Sequence, residues 1–197
     1  ALPIGVKQEL IDKPLGTRRF KLEAIHIQGL LERNLFSIVS DNKIRAKALE
    51  LLKLVNSLFS YKGNYIQVVQ QGEMETLACA LEHKADAVVI DERITRLLIE
   101  NPLALKSLME KRLHRNLSMD QRVYREVQAQ LSSLVVFRSI ELVTLAFEAG
   151  ILDPLIVQIP HARRELLESV LWALKLSGCA VSENEINAIV KKMTRNY

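Results

Sequence analysis

Glycine and proline are scarce in this chain, at 7 and 5 of 197 residues. That excludes a low-complexity or loop-dominated protein. With abundant Leu, Ala, Lys and Glu, it predicts many helices joined by short connections. Cysteine is scarcer still: Cys79 and Cys179 stand a hundred positions apart among apolar neighbours. A disulfide framework or thiolate zinc site is thereby disfavoured, and both residues are expected in the core. The four histidines, His26, His83, His114 and His161, share no ligand spacing, which argues against a histidine metal site or a histidine-driven hydrolase. No G-x-S-x-G, P-loop or dinucleotide fingerprint occurs. No apolar run approaches the roughly 18 residues of a membrane span, and no charged-then-apolar leader opens the chain. The expected compartment is the cytoplasm, with no membrane partner.

What remains is ample for folding. Hydrophobic residues make up 49% of the chain, enough for the core of a single domain over residues 1–197. The net charge of +4 is modest but uneven. Between Lys106 and Arg125 stand Lys106, Lys111, Arg112, Arg115, Arg122 and Arg125 against only Glu110 and Asp120, so this segment carries the whole excess. Such clustering reads either as a solvated helical face or as a footprint for a polyanion.

The most informative stretch runs from Gln71 to Arg93. After Gly72, Met74, Leu77, Ala78 and Leu81 recur at helical spacing and predict a buried stripe, with Glu73 and Glu75 flanking it. Ala87 to Ile90 is a short apolar run suited to a strand covered on both faces, and Asp91 sits at its carboxyl end. In an open parallel sheet, ligands bind beyond such ends. The pattern G-E-x-E, apolar helix, then a strand ending in acids and an Arg resembles the PIN-domain family, in its archaeal and bacterial toxin-like branch.

That resemblance covers most of the chain and implies an α/β fold: a three-layer α/β/α sandwich around a parallel central sheet. It also implies metal-dependent RNA cleavage, with carboxylates holding Mg2+ or Mn2+. On the matching positions the ligands and catalytic acids are Glu73, Asp91 and Glu9, with Glu75 and Glu92 as supporting or alternative acids. Glu73 is preferred to Glu75, which lies about 200° around the helix from it. Hard cations take oxygen ligands and polarise phosphoryl oxygens, so acids at strand and helix ends suit the task. Each acid also has a purely structural reading: Glu73 as a carboxylate at the positive end of a helix, Asp91 as the cap of the helix that follows. Arg93 and Arg96 are placed to contact RNA phosphates or simply to be solvated. The family pattern has a strand ending in Asp some 30 residues before the Pro3 segment, and no such strand precedes Ala1. With Ala rather than Met first, either an initiator Met was removed or the chain begins inside a longer one.

In order, Ala1–Pro3 reads as a strand end leading into a short helix that carries Glu9, and residues 13–16 as a turn. Residues 20–28 fit neither period well, though they could begin as a strand. Residues 35–39 suit a strand, followed by an amphipathic helix from Lys43 to Phe59 and a turn at 61–64. Asn101-Pro102 ends one helix and opens another. The helices over 103–113 and 119–132 have no counterpart in the PIN pattern and read as an insertion at 102–132, the second capped by Ser118. A strand at 134–137, a helix over 140–149, one over 162–176 and a last one opened by Ser182-Glu183-Asn184-Glu185 complete the chain.

Two functions follow. One is a Mg2+- or Mn2+-dependent endoribonuclease using Glu9, Glu73 and Asp91, with Lys111, Arg112 and Arg115 of the insertion helping to hold RNA. The other is a non-catalytic RNA-binding or self-associating protein, a homodimer in which Leu105, Leu108, Met109, Val123 and Val127 pair between subunits, unless they pack on their own domain. The resemblance also allows a small inhibitor protein as partner.

Overall fold

The structure, a computed structural model, describes residues 1–195. It is a mixed α/β chain, 62% helical. The first half holds β1 (Leu2–Pro3), α1 (Ile4–Lys7), a π-helical stretch (Gln8–Asp12), α2 (Lys13–Leu15), α3 (Lys21–Glu32), β2 (Ile38–Val39) and α4 (Asn42–Asn56). It continues through β3 (Phe59–Tyr61), β4 (Asn64–Tyr65), α5 (Gln71–Glu82), β5 (Val88–Val89) and α6 (Arg93–Glu100). The second half holds α7 (Pro102–Leu113), β6 (Ser118–Met119), α8 (Gln121–Leu131), β7 (Val136–Phe137), α9 (Ser139–Glu148), a 3-10 turn (Asp153–Leu155), α10 (Ala162–Leu176) and α11 (Glu183–Met193). No described helix is long and apolar enough to cross a membrane. The chain divides into two compact units, residues 1–88 with 97–134 and residues 89–96 with 135 onward.

In the first unit α4 packs on α5. The expected stripes supply the contact: Ile44, Ala48, Leu51 and Val55 from one helix, Met74, Leu77 and Ala78 from the other, all buried. Asp41 starts α4 by accepting the Lys43 N–H at 2.8 Å, a cap that satisfies an otherwise orphaned donor. At the far end, Asn56 fixes the approach to α5. Its Oδ1 accepts the N–H groups of Val68 (2.6 Å) and Val69 (3.1 Å), and its Nδ2 donates to Val69 O (3.1 Å).

The strands of this unit are short. β1 pairs with β2 in parallel, Leu2 opposite Ile38, and β3 lies antiparallel between β4 and β6. The β3–β4 turn is Lys62-Gly63, both at positive φ (50° and 82°), the conformation that matches the twist of a tight hairpin. This hairpin ends α4 at Asn56, three residues short of the predicted Phe59, which instead opens β3 and is buried there.

Three further expectations are corrected. Residues 13–16 are helical through Leu15, because Pro14 is tolerated in a first turn and Gly16 N still reaches Lys13 O at 3.1 Å. Residues 21–32 form one helix, not the start of a strand. Ser118 is drawn into β6 opposite Ser60, so Asp120 caps α8 instead, accepting from Arg122 N (2.8 Å) and Val123 N (3.1 Å). Of the residues offered for subunit pairing, Leu105, Met109 and Val127 are buried within this unit.

The second unit is built on α9, α10 and α11. Their core is Ile140, Phe147, Leu167, Leu171, Cys179, Val181, Ile186 and Val190. The Ser182 box expected from sequence forms: Ser182 N donates to Glu185 Oε2 (2.9 Å) and Glu185 N to Ser182 Oγ (3.2 Å). Ile90 N donates to Phe137 O at 2.8 Å. Both cysteines are buried free thiols, Cys79 in the first unit and Cys179 in the second.

Candidate functional site: two carboxylates at a glycine crossing

In the first unit, the N-terminal helical segment crosses α5 where each contributes one glycine and one glutamate. Gly5 N donates to Glu75 Oε2 at 2.9 Å. A Cβ on Gly5 would stand 2.0 Å from that same oxygen, and a Cβ on Gly72 would stand 3.0 Å from Glu9 Oε2. The residue pairs 5 with 75 and 9 with 72 run in opposite directions along the two segments. Helical spacing makes this arrangement: Gly5 and Glu9 are four apart, Gly72 and Glu75 three apart, so each pair shares a face. Neither carboxylate would fit there if its opposing glycine carried a side chain.

Glu75 is the buried acid, only 6% exposed. Its Oε1 accepts from Gln71 Nε2 at 2.8 Å. Each oxygen thus has one protein donor and keeps further acceptor capacity. A cavity of about 130 Å³ adjoins it, lined also by Gly5, Gln8, Asp41 and Arg45. Glu9 is exposed. Glu73, the acid preferred from sequence, turns back on its own helix, where its Oε2 accepts the Gln70 N–H at 3.1 Å. That is the capping-box role, which satisfies one of the first-turn donors.

The other two predicted acids belong to the second unit, and both engage backbone donors there. Asp91 Oδ1 accepts Ser139 N (2.8 Å) and Oδ2 accepts Ser139 Oγ (2.5 Å). Burial works to raise its pKa, but these bonds, the Cys179 thiol and the nearby Arg138 charge outweigh it, leaving Asp91 below the usual carboxylate range. Burial, followed by the Asp91 carboxylate, pushes the Cys179 thiol up to about 11. Arg138 is paired with Glu141 and with Glu185 Oε1 (3.1 Å), and donates to Ala180 O (3.2 Å). The Glu141 hydrogen bond, followed by those with Glu185, holds its proton more firmly than usual against the opposing effect of burial. Glu92 caps α6, accepting Ile94 N (2.8 Å) and Thr95 N (2.6 Å). Arg93 is exposed and Arg96 half-buried.

The structure therefore brings Glu9 and Glu75 to one crossing, leaves Glu73 on its own helix start, and gives Asp91 and Glu92 capping bonds in the other unit. Gly5, Gln71, Arg138 and Ser139 were not singled out from sequence. The first had a legible signal in its i,i+4 relation to Glu9. Among the described residues, no group of three or more His, Cys, Asp or Glu is arranged to hold a metal ion. Lys111, Arg112 and Arg115 are all exposed at the end of α7. Compared with models of protein families, curated proteins and solved structures, the chain matches none.

Proposed function

We propose that the protein is a Mg2+- or Mn2+-dependent endoribonuclease of PIN type whose working acids in the first unit are Glu75 and Glu9. The observation that carries this reading is the buried Glu75 carboxylate, fixed by Gly5 and Gln71 and facing a small cavity. The donor set suits a hard divalent cation, which commonly takes one or two carboxylates and keeps several waters. When bound, such an ion would polarise a phosphoryl oxygen and lower the pKa of a bound water. Glu75, held by Gly5 N and Gln71, supplies a rigid oxygen pair. Glu9, exposed on the same face, accepts a proton from the attacking water. Arg45 on the cavity wall offers a planar donor to a phosphate oxygen.

In this reading Asp91 serves the second unit, where it fixes the start of α9, and Glu73 serves the start of α5. The finer parts of the proposal are a parallel central sheet of PIN type, a cytoplasmic setting, and RNA, a second copy or a small inhibitor protein as partners. They rest on the G-E-x-E resemblance. The test is metal-dependent cleavage of a labelled RNA by the purified chain and by Glu75→Gln and Glu73→Gln. Glu75→Gln is expected to lose about 100-fold or more, with Glu73→Gln close to the parent. Equal activity of Glu75→Gln and parent would sink the assignment.

A second reading, a non-catalytic RNA-binding or self-associating protein, is favoured by the exposed cations at the end of α7. Under it, no metal restores cleavage to the parent chain, and RNA affinity survives Glu75→Gln.

A further inference from the structure

The end of α7 and the β3–β4 hairpin, both in the first unit, assemble a cationic basin. Ser107, Lys111 and His114 recur at four and seven residues along α7 and share one face. His114 then takes the left-handed conformation (φ 51°) that ends the helix, and Arg115 N closes the turn on Glu110 O at 3.2 Å. This swings Arg115 over the ring of Tyr61, with its guanidinium carbon 4.6 Å from the ring centre. Lys62 Nζ lies 5.5 Å from the same ring. Beside Arg115 opens a basin of about 490 Å³ walled by Ser107, Lys111, His114 and Asn116.

Charge is what sets this surface apart. Lys62, Lys111, Arg112 and Arg115 are all exposed, and among the described residues none has a carboxylate partner within ion-pair distance. The one acid in the wall, Glu110, is engaged elsewhere: its Oε1 accepts the Leu117 N–H at 2.8 Å and lies 3.5 Å from Lys106 Nζ. That N–H bond, ahead of the Lys106 charge, lowers its pKa despite the opposing effect of burial, so Glu110 stays ionised without neutralising the basin cations. Packing four like charges together without acids is unfavourable in the free protein and is relieved by a polyanion.

We infer that this basin binds the backbone of single-stranded RNA, with Lys111, Arg112 and Lys62 on phosphates and the Tyr61-backed Arg115 guanidinium as a platform for an unpaired base. The choice of RNA among polyanions rests on the proposed function above. The preference for a single strand rests on shape and chemistry. A basin of this volume accepts one nucleotide but not a duplex, and a flat guanidinium held on an aromatic ring stacks well only on a base freed from pairing. The hairpin register supplies an internal control. Tyr65, 69% exposed, lies opposite Ser60, whereas Tyr61 lies opposite Asn64. Directly opposed residues share a face and neighbours alternate, so Tyr65 is on the other side of the ribbon from Tyr61.

The experiment is fluorescence anisotropy of a labelled 12-mer oligouridylate with the full chain, in a chelator to prevent cleavage, across a salt series and against a duplex of equal length. Lys111→Glu with Arg115→Glu is expected to weaken binding at least tenfold. It should also flatten the slope of log affinity against log salt by about 1.4, the value for two lost single-strand phosphate contacts. Tyr61→Leu should cost about threefold with the slope unchanged, and Tyr65→Ala should leave both unchanged. Unaltered affinity and slope in the double reversal, or a duplex that binds as tightly as the single strand, would overturn the inference. Both reversed side chains are exposed, and a thermal melt of each variant identifies any that fail to fold. Failure of the nuclease reading is separately visible: absent cleavage with intact, basin-dependent binding removes the enzyme and keeps the basin.

Discussion

The two units each hold a carboxylate tied to backbone, and they hold it differently. In the second unit Asp91 receives two donors from one residue, Ser139, on the first turn of α9. In the first unit Glu75 receives one backbone donor from a glycine of another segment and one amide from its own helix, and it borders a cavity. The Asp91 arrangement resembles a cap: short, polar and local to a helix end. The Glu75 arrangement needs two glycines whose only structural merit there is to make room. An acid held at the cost of two side chains, beside open volume, suits a task other than starting a helix.

Ways to break this contrast run from large effects to small. The largest is catalytic: under the proposed function Gly5→Ala should lose RNA cleavage nearly as completely as Glu75→Gln, because the new Cβ displaces the Glu75 carboxylate. Its stability should fall by only about 1–3 kcal/mol, since the displaced atoms are the end of a flexible chain. Activity and a denaturant titration on the same sample check both halves. Next is the second-unit core, where Leu171→Ala should cost about 2–5 kcal/mol, read from the shift of the urea midpoint.

Smaller is the Asp91 bond pair. Asp91→Ala should cost about 1–3 kcal/mol by leaving the Ser139 donors unmet, with a matching pH signature. The folded pKa of Asp91 lies below its unfolded value, so its contribution is present above the ordinary Asp range and fades as pH falls through the folded pKa. In Asp91→Ala that acid-limb dependence should shrink. Cys179 has the opposite sign: its folded pKa of about 11 exceeds the ordinary 9.0, so its contribution is present below pH 9.0 and fades between 9.0 and about 11. Cys179→Ala should flatten that alkaline limb. The smallest effect is Glu73→Gln, within about 0.5 kcal/mol, because Gln also completes a capping box.

Much of the local structure was legible. The apolar stripes of α4, α5 and α10, the Ser182 box and the Asn101-Pro102 junction follow from periodicity and capping chemistry, which act within a few residues. The misreadings all occurred where a distant partner intervened. Ser118 lost its cap role because Ser60, 58 positions earlier, paired with it. Phe59 left its helix because it opens the strand between β4 and β6. Glu73 and Glu75 are equally acidic and two residues apart, and nothing in that stretch alone says which is buried.

The sequence by itself determined that this chain is helix-rich, that its cysteines are core residues, and that its excess positive charge sits between Lys106 and Arg125. Composition, periodicity and cap residues suffice for those, because each is a property of near neighbours. Only the tertiary structure decided that Glu75 rather than Glu73 lies under Gly5, that Glu9 meets Gly72, and that Arg115 rests on Tyr61. These are contacts between segments 46 to 70 positions apart. They exist because the folded core brings together surfaces whose complementarity, a glycine opposite a carboxylate or a ring beneath a guanidinium, no local pattern records.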